Sequence, residues 1–93
     1  MLNKTEIQTL KQRGHHLKPV VLIGGKGLTP GVLNELNISL EHHELMKIRV
    51  LRPTREERKE VIDSICLSLG ATVINRIGHI ALLYRPATTT EPQ

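Results

Sequence analysis

Apolar positions along the chain change period several times, and each change marks an element. Behind Asn3, Ile7 and Leu10 recur at helical spacing. Asn3 with Glu6 three residues later forms a capping-box-like start, and Gly14 reads as the C′ stop. After the linker HHLKP, Val20–Ile23 is apolar without alternation, the pattern expected of a strand covered on both faces. Thr29-Pro30 then offers a hydroxyl N-cap followed by proline at N1, and Val32, Leu33, Leu36 and Leu40 line one face of the helix it opens. Leu45–Leu51 alternates, which puts Met46, Ile48 and Val50 on one sheet face and Lys47 and Arg49 on the other. Thr54-Arg55-Glu56-Glu57 reads as a complete capping box for a helix with Val61, Ile62, Ile65 and Leu69 inward, stopped by Gly70. Residues 72–76 and 80–85 read as a hairpin turning near Ile77-Gly78-His79.

The predicted order is α-β-α-β-α-β-β, an α/β fold with a mixed four-stranded sheet packed with helices. Two strand–helix–strand passages make part of the sheet parallel, and the closing hairpin adds antiparallel pairing. Ninety-three residues suffice for one core, so the chain is expected to form a single domain over 1–86 with a frayed polar tail, ATTTEPQ, over 87–93.

Composition narrows the function. With 39% apolar and 24% charged residues the chain can bury a core and is not an intrinsically disordered one. No apolar run approaches the ~18 residues that span a bilayer, and the polar N-terminus lacks the apolar stretch of a secretory signal. A lone cysteine, Cys66, suits a reducing compartment, so a cytoplasmic protein with no membrane partner is expected. The net charge of +4 is clustered. Lys4, Lys11, Arg13, Lys18 and Lys26 stand against Glu6 alone in residues 1–34, and Lys47, Arg49, Arg52, Arg55, Arg58 and Lys59 against Glu56 and Glu57 in 45–59. Clustered cations suit a polyanion partner. The chain has no Phe or Trp, and Tyr84 is its only Tyr, so no aromatic platform for stacking bases exists. A nucleic acid would have to be held by backbone amides and cations.

The stretch Gly24-Gly25-Lys26-Gly27-Leu28-Thr29-Pro30, between a strand and a helix start, is the candidate for that grip. A P-loop needs its lysine after the last glycine with a hydroxyl beside it; here Lys26 precedes Gly27 and Leu28 intervenes before Thr29. The dinucleotide pattern G-x-G-x-x-G would place its third glycine at Pro30. A G-x-x-G clamp fits Gly24 to Gly27, because side-chain-free residues let a sugar-phosphate backbone approach. The helix behind it would aim free N–H groups at a phosphate, and Lys26 adds a charge at the tip. The plainer alternative is a tight turn that needs positive φ at one or two glycines.

Other chemistry is weaker. His15-His16 and His42-His43 are adjacent pairs that point apart, and no H-E-x-x-H pattern follows His43, so neither a metal site nor a cofactor is expected. His42 and His43 suit the C-terminal end of a helix dipole. No nucleophile–base arrangement points to an enzyme or a small-molecule substrate.

Over nearly its whole length the chain resembles the CRM domain (chloroplast RNA splicing and ribosome maturation) in its stand-alone bacterial YhbY-like form. The resemblance rests on LKP-VVLIG before the loop, G-x-x-G-L-T, E-H-H-E-L-x-K and the closing L-Y-R-P. It implies an RNA-binding fold similar to the C-terminal domain of bacterial initiation factor three, with a KH-like loop. It also implies ribosomal RNA of large-subunit precursors as the partner. By position the RNA-binding residues would be Gly24, Gly25, Lys26, Gly27, Leu28 and Thr29, with Lys18, Lys47 and Arg49 as the adjoining basic surface. The expected protein is a non-catalytic monomer; the alternative is a module that docks on a ribosomal protein or assembly factor.

Overall fold

The computed structural model describes residues 2–86; the tail expected over 87–93 lies outside the described residues. Three helices, α1 (Lys4–Gly14), α2 (Pro30–His43) and α3 (Arg55–Leu69), alternate with the strands β1 (Pro19–Ile23), β2 (Leu45–Val50), β3 (Thr72–Ile77) and β4 (Ile80–Tyr84). The sheet order is β1-β2-β4-β3, with β1 parallel to β2 and β4 antiparallel to both neighbours. β1, β2 and β3 therefore run the same way, with β4 inserted between the last two. This is the expected α/β architecture with a mixed four-stranded sheet.

The two faces of the sheet are covered unequally. Val21, Ile23, Met46, Ile48, Val50, Ala81 and Leu83 pack under α2 and α3 against Leu36, Leu40, Ile62 and Ile65. On the opposite face α1 lays Leu10, with Ile7 at its margin, over Leu45, Ile74 and Leu82. α1 reaches β2, β3 and β4 but leaves edge strand β1 bare, so Val20 is 56% and Leu22 58% exposed. The unbroken apolar run VVLI is thus not a strand covered on both faces: its alternate residues face solvent. Apolar composition alone did not distinguish this edge strand from a central one.

The caps also differ in detail from their signatures. At Asn3 the box is complete, with both Asn3 Oδ1 accepting from the Glu6 N–H at 2.8 Å and Glu6 Oε1 accepting from the Asn3 N–H at 2.9 Å. At Thr54 the Glu57 N–H donates to the hydroxyl, but the reciprocal backbone bond is replaced by Thr54 Oγ1 donating to Glu57 Oε2. The Glu57 carboxylate is shared with Arg52, whose Nε lies 3.8 Å from Oε1. Thr29 caps α2 through Val32, with Pro30 at N1, and Gly70 ends α3 in the left-handed region, both as predicted.

Gly14 has a different role from the one its position suggested. It is the last helical residue of α1, with no positive φ, and His15 is the cap. A Cβ at Gly14 would lie 2.5 Å from Leu82 Cδ2, so glycine here permits the close approach of α1 to the sheet. Gly14→Val is expected to lower stability by about 1–2 kcal/mol through overpacking. A fall in Tm of about 5–10 °C in a thermal melt would show it; an unchanged Tm would mean that Leu82 rearranges freely.

α2 passes to β2 through one residue, Glu44, at φ 62° and ψ −40°. Its N–H donates to the Leu40 carbonyl at 2.9 Å, and its own carbonyl accepts from the Arg85 N–H at 2.8 Å. An unfavourable backbone at a non-glycine residue persists when its surroundings hold it. Arg85 does much of that holding. It is one of the buried residues; its Nη1 donates to Asn37 Oδ1 at 2.8 Å and to the Leu69 carbonyl at 2.9 Å, and its Nη2 donates to the Asn37 carbonyl at 3.2 Å. Glu41 Oε2 lies 3.5 Å from Nη2. One guanidinium thus joins the end of β4 to α2 and to the C-terminal carbonyl end of α3.

Candidate functional site

β1 delivers the chain to the loop Gly24–Gly27 at the end of the sheet where α2 begins. The Gly27 N–H donates to the Gly24 carbonyl at 3.0 Å, closing a turn, and Gly27 takes φ 71°. Gly27 is therefore required by the backbone. Gly24 and Gly25 are not: neither has a positive φ, and a Cβ built on either meets no heavy atom within 4 Å. The fold would accept side chains at both positions, yet the loop presents bare backbone to solvent there. Leu28 packs against the core beneath, and Thr29 caps α2. Lys26 stands exposed at the tip with no ion-pair partner among the described residues.

Residues not singled out by sequence position buttress this loop. Arg52 Nη1 donates to the Gly25 carbonyl at 3.1 Å, and the Arg52 carbonyl accepts from Arg58 Nη1 at 2.8 Å. The Leu51 N–H adds a bond to the Ile23 carbonyl at 2.9 Å. The segment after β2 and the first turns of α3 are thereby tied to the loop. The basic cluster over residues 45–59 was the available signal, but nothing in it marked Arg52 as the residue that reaches back 27 positions to the loop.

The other predicted residues divide by position. Arg49 is exposed at the loop end of β2, where it pairs in register with Leu22. Lys47 is half-buried and pairs with Pro19, at the opposite end of β1. Lys18 precedes β1, six residues or roughly 20 Å of extended chain from Gly24. Lys18 and Lys47 share a groove of about 350 Å³ with Arg13, His16 and Val20 beside the end of α1. The sheet face carries Lys47 and Arg49 together as the alternation predicted, but Lys18 does not join the loop.

The remaining chemistry is sparse. Among the described residues no group of three or more His, Cys, Asp or Glu gathers to hold a metal ion. Burial, and then the Asp63 carboxylate, push the Cys66 thiol above its ordinary pKa, so it stays protonated at neutral pH and is a poor nucleophile. Among the described residues no helix is long and apolar enough to cross a membrane.

Fold and loop together define an α/β domain that carries an open glycine turn buttressed by arginine. The CRS1 / YhbY (CRM) domain model matches residues 2–85, and the chain belongs to that family. It is 44% identical over 92 residues to a Haemophilus influenzae protein named as an RNA-binding protein, covering 99% of this chain and 93% of that one. It is 38% identical over 84 residues to a Pseudomonas aeruginosa protein named as a probable RNA-binding protein, PA4753, covering 90% of this chain and 81% of that one. The solution structure of SAV1595 from Staphylococcus aureus matches with a TM-score of 0.82 at 23% identity, over 98% of this chain and 95% of that one, a likeness of fold.

Proposed function

We propose that this protein is a non-catalytic RNA-binding protein of the cytoplasm that acts as a monomer on ribosomal RNA in precursors of the large subunit. It grips the sugar-phosphate backbone through Gly24–Gly27 and the cations beside them, in the manner of a KH loop. The observation that carries this reading is the open loop: glycine is present at 24 and 25 where neither backbone angle nor packing requires it. A ligand backbone that must approach closely supplies the missing reason. Unpaired Lys26 at the tip, the cation-rich flank, and the relatives named for RNA binding support it further.

Backbone recognition of this kind releases counterions, so affinity falls steeply with salt and depends little on sequence. Fluorescence anisotropy with labelled ribosomal RNA fragments at several salt concentrations tests the proposal. Lys26→Ala is expected to weaken binding across all fragments and to reduce the slope of log affinity against log salt by about one. Wild-type protein that binds no RNA at low salt would sink the reading. The alternative, docking on a ribosomal protein or assembly factor, draws on the bare apolar edge of Val20 and Leu22 and predicts weak, salt-insensitive RNA binding.

A further inference from the structure

A second cationic site lies one hydrogen-bond relay away from the loop. Arg55 and Arg58, on the first two turns of α3, face Arg76 and Gly78 of the β3–β4 hairpin across a groove of about 310 Å³. Three guanidinium groups line it and no carboxylate does. Of the acids on α3, Glu57 is held by Thr54 and Arg52, Asp63 pairs with Lys59, and exposed Glu56 and Glu60 do not line the groove. Like charges repel in a concave site, so three arginines without a counter-charge make a region of high positive potential. The planar fork of arginine suits the paired oxygens of a phosphate better than lysine does.

The groove is also tied to the loop. Arg58 spends one donor, Nη1, on the Arg52 carbonyl, and Arg52 in turn holds the Gly25 carbonyl. Those two bonds fix the position of the groove's wall relative to the glycine turn. Arg55 and Arg76 are exposed and use no side-chain hydrogen bond or ion pair among the described residues.

We propose that the Arg55–Arg58–Arg76 groove is a second phosphate-binding site, through which an RNA strand gripped at Gly24–Gly27 continues past the start of α3 to the β3–β4 turn. This inference rests on the RNA-binding reading above and adds the strand's path. The ligand is a phosphodiester of RNA, held by Arg55 and Arg76 with Arg58 as the fixed wall. The loop and groove then act as a two-point clamp that Arg52 keeps in register.

The test is anisotropy with fluorescein-labelled single-stranded U12 RNA over a salt series, comparing wild type with Arg55→Gln/Arg76→Gln. Loss of two single-strand phosphate contacts is expected to lower the salt slope by about 1.4 and the affinity at 0.1 M salt by about 25-fold. Arg55→Lys/Arg76→Lys should restore the slope but not all of the affinity, because charge returns without the fork. Lys4→Gln/Lys11→Gln on α1, over the opposite face of the sheet, removes the same charge away from the groove and should change affinity much less. Wild-type slope and affinity in the glutamine variant, or an equal loss in the Lys4/Lys11 control, overturns the groove while leaving the loop reading intact. Wild type that fails to bind U12 or any ribosomal fragment overturns both. A glutamine variant that binds RNA normally but loses affinity for a poly-glutamate peptide would instead make the groove a protein-docking site, against the proposal. Thermal melts check that the variants fold; exposed Arg55 and Arg76 should leave Tm within a few degrees of wild type.

Discussion

Arg85→Leu is expected to remove about 3–4 kcal/mol of stability and to lower Tm by roughly 15 °C or more, the largest stability effect of any single change considered. Leucine fills part of the volume but donates nothing. The Leu69 carbonyl, one of the last carbonyls of α3 and without a helical partner by position, loses its guanidinium donor, and both oxygens of Asn37 lose theirs. Leaving two part-buried acceptors, the Leu69 carbonyl and Asn37 Oδ1, without their donor is what makes the loss large, because each keeps a desolvation penalty. The Glu41 contact adds less, since that carboxylate is 41% exposed and water screens the pair. Arg85→Lys should recover only part of the loss, because an ammonium cannot span the three oxygen acceptors that the fork reaches. Chemical denaturation of the three proteins checks this. A loss below about 1 kcal/mol in Arg85→Leu would mean that water replaces the guanidinium without penalty.

Arg85 also shows where sequence reading runs out. In the sequence it stands only as one letter of L-Y-R-P, outside both basic clusters. Its partners sit 16 and 48 positions away and meet only when three elements close on one another. Local signals did better. Thr29-Pro30, Asn3 with Glu6, and Gly70 act within a few residues of themselves, and the structure places each cap where its pattern falls. The same logic explains the errors. Gly14 has the chemistry of a helix stop, but Leu82, 68 positions on, is what requires it to be glycine. VVLI carries no mark that α1 stops short of it, so solvent on one face was invisible. Glu57 matched the capping signature, yet Arg52 competes for its carboxylate. The candidate loop was legible because its glycines are contiguous. Its arginine buttress was not, because Arg52 reaches it through the fold, and the same tertiary approach sets Arg76 opposite Arg55.

The largest effect on binding is expected from Gly25→Asp, at about 100-fold weaker RNA affinity with stability unchanged within about 0.5 kcal/mol. The two halves of this expectation have separate causes. In the free protein a side chain at 25 enters open space and the backbone angle suits any residue, so folding has no reason to object. Gly24→Ala should be equally silent in a melt, whereas Gly27→Ala should not, since Gly27 sits at φ 71°. In the complex, an aspartate would stand where the ligand backbone must come close. It would set a carboxylate against a phosphate, and like charges in contact cost several kcal/mol. It would also lie beside Arg52, whose Nη1 already touches the residue-25 carbonyl, and would neutralise a cation that steers the strand. Gly25→Ala separates the terms: it keeps the obstruction and removes the charge, so its loss should be several-fold rather than 100-fold. Melting and anisotropy on the same preparations distinguish a surface built for a ligand from a turn built for the fold. Full RNA affinity in Gly25→Asp would leave two unneeded glycines without an explanation and would move the interface away from this loop.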